Sequence, residues 1–239
     1  MEGLKFSAVF QPTTLFSLKD SNSTNSGAKS LFLPSPYSIK MAILNQAITL
    51  DGVDFEADGK MNRWFKMVCN TDIGYFVKGN FSVNNCFVKI LRVKEDKRGK
   101  KQKEAGIEFI PGVQNTISFR EYIHINAPIE IIFTVQSKVE KDFLQKYIYK
   151  INYFGKRGCF FQFMGYKDTP SESNVITFGE SYLQPGILQK YDDFNYKMAF
   201  EHVNNYDGAK SLKREEKILV LPLRRNKSSK SYSNYIVND

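Results

Sequence analysis

The sequence predicts an α+β protein, and three observations carry that prediction. Short apolar segments follow the order strand, helix, strand, strand, helix, strand between Leu4 and Met164. Both helical stretches bring their own capping residues. A strongly basic stretch, poor in apolar residues, interrupts the middle strands. This order is the split β-α-β arrangement of a ferredoxin-like (RRM-like) fold. Residues 1–168 are expected to form that fold, with an inserted β-hairpin at about 80–118. Residues 169–239 are expected to form a smaller C-terminal β-containing extension.

Leu4–Phe10 shows short apolar alternation and reads as the first strand. Ser17–Ser30, rich in Ser, Asn and Gly, reads as a loop. A helix is expected next, with Ser35 as N-cap and Pro36 at the first helical position. Ile39, Ile43 and Ala47, with Leu44 and Ile48 beside them, supply its apolar face. Leu50–Gly59 ends that pattern. Tyr75–Val93 is strand-like, and Gly79 and Asn84-Asn85 punctuate it. The basic segment Lys94–Gly106 follows, and strand character resumes at Ile107–Ile110 and Thr116–Ile125. Two long strands reaching out to a basic tip account for this pattern.

In Pro128–Ser137 the residues Ile129, Ile131, Phe133 and Val135 alternate, as on one face of a strand. Ser137 and Glu140 form a capping box. Behind them Val139, Phe143, Leu144, Tyr147, Ile148 and Ile151 predict a helix ending near Phe154, with Gly155 as its C-terminal stop. A strand is expected over Cys159–Met164, and another over Glu216–Arg225. Phe178–Gln189 is ambiguous, and the polar end "NKSSKSYSNYIVND" reads as loosely held.

Bulk properties narrow the function classes. The 239 residues carry a formal net charge of +9, with a pI near 9.3, which points to a polyanionic partner. Nucleic acid is the first candidate and an anionic membrane surface the second. No apolar run approaches the roughly 18–20 residues that span a bilayer, and the N-terminus lacks a secretory pattern. A cytoplasmic protein with no membrane partner is therefore expected. Cys69, Cys86 and Cys159 are widely spaced and form neither a metal-ligand pattern nor a disulfide framework, so no cofactor is expected. His124 and His202 are the only histidines.

Three clusters are candidate nucleic-acid contacts. Lys97, Arg98, Lys100, Lys101 and Lys103 crowd the hairpin tip, and Arg92 sits on the strand leading to it. A solvated tip and a phosphate-binding tip both fit that charge. Phe154, Gly155, Lys156, Arg157 and Gly158 form a glycine-bracketed basic turn. It follows a helix, so it cannot be a Walker loop, which needs a preceding strand and G-x-x-x-x-G-K-[ST]. A plain helix-to-strand turn and a close approach to phosphate both remain open. Arg120, Tyr122 and His124 alternate and would share one strand face suited to charge and stacking. Tyr37 with Lys40 is a further aromatic–basic pair that could stack on a base.

Three segments in order resemble a known family. "LPSPYSIKMAIL" (Leu33–Leu44) is similar to the Pro–Tyr segment leading into the first helix of the family-five subunit of the type I CRISPR surveillance complex (Cascade), a member of the repeat-associated RNA-binding (RAMP) superfamily. "FREYIHINAPIEIIFTV" (Phe119–Val135) looks like its Arg-x-Tyr strand motif, and "INYFGKRGCFFQF" (Ile151–Phe163) like its Gly-Lys-Arg turn. The likeness covers the chain up to about residue 165. It implies a non-enzymatic antiviral subunit that holds the 5′ handle of CRISPR RNA and caps the backbone of the ribonucleoprotein. Its partners would be the backbone and large subunits of Cascade, with target DNA engaged indirectly. The thumb would lie near Lys94–Gly106 and the RNA handle near Gly155–Gly158. One branch of the family cleaves precursor RNA with a Tyr/Lys/His set, so a metal-independent endoribonuclease is the alternative.

Overall fold

The structure is a computed structural model and describes residues 3–21, 27–52, 59–93, 112–179, 185–204 and 212–238. Strand β1 (Leu4–Pro12) buries Phe6, Ala8 and Phe10, the alternate positions of its apolar pattern. Helix α1 (Pro36–Asp51) starts where its cap predicts: Ser35 Oγ accepts the Ser38 N–H at 3.2 Å, and Ile39, Ile43, Leu44 and Ala47 face the core. The unpredicted helix α2 (Lys60–Cys69) follows. Its stripe of Met61, Trp64, Phe65 and Val68 has helical spacing, and all four are buried.

Strand β5 (Asp72–Phe76) precedes a long hairpin of β6 (Asn80–Val93) and β7 (Val113–Ile125). Then come β8 (Ile129–Val135), α3 (Lys138–Ile148) and β9 (Phe161–Lys167). The order β5-β8-β1-β9 makes a four-stranded sheet in which every neighbour is antiparallel. Each of the connections β1-α1-α2-β5 and β8-α3-β9 therefore crosses an intervening strand. Helices and sheet meet through one apolar core. In it Phe6 stacks on Phe133 at 5.1 Å, and Trp64 reaches Tyr147 at 6.1 Å.

Helix α3 keeps its predicted start but not its predicted end. Ser137 Oγ accepts the Glu140 N–H, and Glu140 Oε2 accepts the Gln136 N–H at 2.7 Å. The helix stops at Ile148, well before Phe154, so Gly155 is not its cap. The intervening residues form a hairpin of their own, with a bridge between Tyr153 and Phe160.

The sheet face opposite the helices is closed by the chain after β9. Glu130 is buried there and accepts hydrogen bonds from Ser7 Oγ, Lys167 Nζ, Ser171 N and Ser171 Oγ, all within 2.6–2.9 Å. Burial pushes its pKa up, but these bonds outweigh burial and hold the carboxyl at about 2 rather than 4.5. Ser173 Oγ and the Asn174 amide bond to the main chain of Tyr75 and Val77, covering the outer edge of β5. Because the folded-state pKa is depressed, Glu130 stabilises the fold fully above about pH 4.5. That contribution disappears as the pH falls toward 2. Glu130→Gln is expected to cost on the order of 3 kcal/mol at neutral pH and to flatten the acid limb of stability between those two pH values. Urea melts across that range measure both effects, and an unchanged acid limb would contradict this role for Glu130.

The C-terminal residues are built into the molecule. Strands β11 (Ile187–Asp193) and β12 (Glu215–Leu221), with the short β10 (Ile176–Thr177), make a three-stranded sheet. Pro222 separates β12 from β13 (Leu223–Ser228), so the single strand expected over Glu216–Arg225 is two. The chain end is not loosely held: β14 (Tyr232–Val237) lies between β13 and the base of β6, and Tyr235 packs against Phe32 at 5.2 Å. The stretch Ser17–Ser30 also differs from a plain loop, since β2 (Leu18–Lys19) pairs with β4 (Ser30–Leu31) and β3 (Gly27–Ala28) pairs with β7.

Candidate nucleic-acid interface

The Gly155–Gly158 turn is the tip of the hairpin from Asn152 to Phe161. The Phe161 N–H donates to Asn152 O at 3.0 Å, the Phe154 N–H to Cys159 O at 3.3 Å, and the Cys159 N–H to Lys156 O at 3.1 Å. Gly155 and Gly158 have φ of 65° and 98°, a region that disfavours side chains. A Cβ on Gly155 would also approach Leu18 Cδ2 to 3.2 Å, whereas Gly158 faces open space. The tip therefore lies tight against β2 on one side, and Lys156 and Arg157 project into solvent.

Beside this turn lies a cavity of about 560 Å³. One wall is a face of α1 formed by Ser38, Met41, Ala42 and Asn45, next to the stripe that enters the core. Leu18 and Leu31 form an apolar floor, and Tyr37 and Tyr153 contribute rings. Gly155 and Lys156 line it from the turn, and Lys190 and Asp192 from β11. Arg214 closes one side. Its guanidinium carbon is 3.8 Å from the Tyr37 ring centroid, and its Nη1 donates to Asp192 Oδ2 at 2.8 Å. Ser21 Oγ donates to the other oxygen of Asp192 at 3.0 Å. Arg214 is thus fixed in orientation by stacking on one face and by an ion pair at one edge.

The expected contact residues fall into four groups. Tyr37, Gly155 and Lys156, distant in sequence, share the cavity, and Arg157 flanks it on the same turn. Arg120 and Tyr122 lie on one face of β7, opposite Cys86 and Asn84 of β6, and Arg92 is exposed on the outer part of β6. Lys97, Arg98, Lys100, Lys101 and Lys103 lie outside the described residues.

Two expectations need correction. Lys40 is 2% exposed and ion-paired to Asp193 at 2.7 Å, so its ammonium serves the interior. Phe154 is fully buried, with its ring edge-to-face with Phe10 and Phe161, so it cannot stack on a base. Both residues have apolar neighbours one helical turn or one bridge away that draw them inward.

Arg214, Lys190, Asp192, Asn45 and Gln46 belong to the cavity without having been expected there. The apolar residues of β11, Ile187, Leu188 and Tyr191, do not alternate, so periodicity gave no signal for this strand. Neither histidine is among the described residues lining the cavity. His124 is exposed on β7, and His202 Nδ1 accepts the Ala199 N–H at 2.9 Å. Among the described residues no group of three His, Cys, Asp or Glu could hold a metal ion, and no helix is long and apolar enough to cross a membrane.

No family model matches the sequence, and no curated protein matches it. Among solved structures, the chain is similar to a CRISPR protein from Archaeoglobus fulgidus. The TM-score is 0.44 and the identity 13%, over 98% of this chain and 92% of that one. It is also similar to a chain of the Type III-B Cmr-beta complex bound to cognate target RNA and AMPPnP, with TM-score 0.40 and 11% identity over 95% of this chain and 86% of that one. For the same complex bound to cognate target RNA the values are 0.38 and 12%, with the same coverage.

Proposed function

We propose that this chain is a non-enzymatic RNA-binding subunit of a CRISPR ribonucleoprotein, of the family-five kind, that holds the 5′ handle of the CRISPR RNA and caps the backbone. The four-stranded sheet, with its two helical crossovers, is in this reading the ferredoxin-like palm, and the β6–β7 hairpin is its thumb. The observation that carries the reading is the convergence of Tyr37, the Gly155-Lys156 turn and Arg214 on one cavity. An aromatic ring, an open glycine backbone and fixed cations are the parts that bind a single strand by stacking and phosphate neutralisation. Neither histidine lines that cavity, which favours holding RNA over cutting it.

The test is expression with the neighbouring genes, purification through this chain, and sequencing of bound RNA. Uniform short RNAs sharing one 5′ end are the expected result. Heterogeneous RNA, or none, would overturn the capping role. Cleavage of repeat RNA without metal, lost on His124→Ala or His202→Ala, would establish the nuclease alternative instead.

A further inference from the structure

A second cavity, of about 500 Å³, adjoins the first. Lys19, Asp20, Ser21, Asp192 and Arg214 line both, so they form the seam between the two. The second cavity adds Lys213 and Glu216 and has no apolar floor. The two chambers therefore differ in chemistry. The first offers Leu18, Leu31, Met41 and Ala42 to a flat apolar ring, with the Asn45 and Gln46 amides at its rim. The second is lined by charged and hydroxyl-bearing residues, and no apolar residue lines it.

We propose that the paired cavities seat two consecutive nucleotides of a single strand, with the linking phosphodiester held at the seam by Arg214. This deepens the RNA-binding reading and rests on it. A volume of this size suits one nucleotide rather than a longer segment, since drug-sized ligands occupy cavities of about 300–1,000 Å³. Arg214 is the part that makes the seam a phosphate site. Tyr37 packs one face of the guanidinium and Asp192 takes one edge, and the side chain stays 43% exposed. A guanidinium held this way presents its remaining N–H groups in a fixed fork, the geometry that fits phosphate oxygens. The base in the first chamber lies under the Asn45 and Gln46 amides. Each can donate and accept at once, as recognition of adenine requires. Across both chambers Lys19, Lys156, Lys190, Lys213 and Arg214 outnumber Asp20, Asp192 and Glu216, so the site is cationic overall.

The test is fluorescence anisotropy with the full chain and a labelled short oligo(rA), competed by the dinucleoside monophosphate ApA, by AMP and by the deoxy dinucleotide. ApA is expected to compete at least about tenfold better than AMP, because only ApA carries the linking phosphodiester. Arg214→Ala is expected to remove that advantage. Ala42→Trp fills the first chamber from a half-buried helix face and is expected to abolish ApA competition while leaving the melting temperature unchanged. It also keeps the test decisive if Arg214→Ala unfolds. Equal competition by ApA and AMP, or oligo(rA) binding unaffected by Ala42→Trp, would overturn the dinucleotide seat while leaving RNA binding intact. No binding of oligo(rA), oligo(rU) or their mixed sequences would overturn both. Equal competition by the deoxy dinucleotide would keep the seat and assign it to either kind of single strand.

Discussion

Asp193→Ala is expected to be among the most destabilising single changes in the described chain, at about 3–5 kcal/mol, the usual cost of stranding one partner of a buried ion pair. Asp193 is 3% exposed and binds Lys40 Nζ through one oxygen at 2.7 Å and Lys217 Nζ through the other at 3.2 Å. The Phe194 N–H adds a third bond at 2.7 Å. Without the carboxylate, the Lys40 ammonium would keep the Cys69 carbonyl at 3.2 Å and the Phe194 ring at 5.7 Å. Lys217 is 31% exposed and can turn to water, so Lys40 carries the cost. Replacing both members, Lys40→Met with Asp193→Leu, is expected to recover most of the loss, because no buried charge is then left. Urea unfolding of the three variants decides the matter. A loss below about 1 kcal/mol for Asp193→Ala would show that water reaches Lys40. The pair also has a functional side, since it docks β11 on α1. Lys190 and Asp192 of β11 and Ser38 and Asn45 of α1 are opposite walls of the cavity.

Reversing both charges of the turn, Lys156→Glu with Arg157→Glu, is expected to act on binding and not on folding. Both side chains are exposed, so the stability change should stay within about 0.5 kcal/mol. The slope of log affinity against log salt should shrink by about 0.7 for each phosphate no longer neutralised. At low salt, two reversed charges should weaken oligonucleotide binding by at least about tenfold. Anisotropy across a salt series, beside a thermal melt, separates the two roles. Unchanged affinity with a lowered melting temperature would make the turn purely structural.

How much was legible follows from how local each determinant is. Ser35-Pro36 and Ser137 with Glu140 mark their helix starts because a cap bonds within one turn of chain. The alternation of Ile129, Ile131, Phe133 and Val135 marks β8 for a similar reason. The stripe in Lys60–Cys69 was equally local and could have been read from Met61, Trp64, Phe65 and Val68. By contrast, β14 is a strand because β6 and β13 offer edges to it, and nothing in "SYSNYIV" alone says so. The end of α3 was misplaced because Ile151 and Phe154 continue the apolar spacing, although Ile151 lies beyond the helix and Phe154 belongs to the next hairpin. Within the cavity, Tyr37 and the Gly155 turn announced themselves by residue type. Arg214 did not, since its role depends on Tyr37 and Asp192, which only the fold brings beside it. Lys40 misled for the converse reason: a lysine next to a tyrosine reads as surface until Asp193 is seen beneath it.

The placement of β14 also sets an order of events during synthesis and refolding. Tyr232 pairs with Asn84 across roughly 150 positions of chain, a separation that makes the pairing late and slow relative to local elements. Until it forms, the base of β6 presents an open row of amides and carbonyls on one side while its other side is already zipped to β7. The folding chain therefore passes through a stage with one adhesive flank. Pairing of β14 with the base of β6 is the step that closes it.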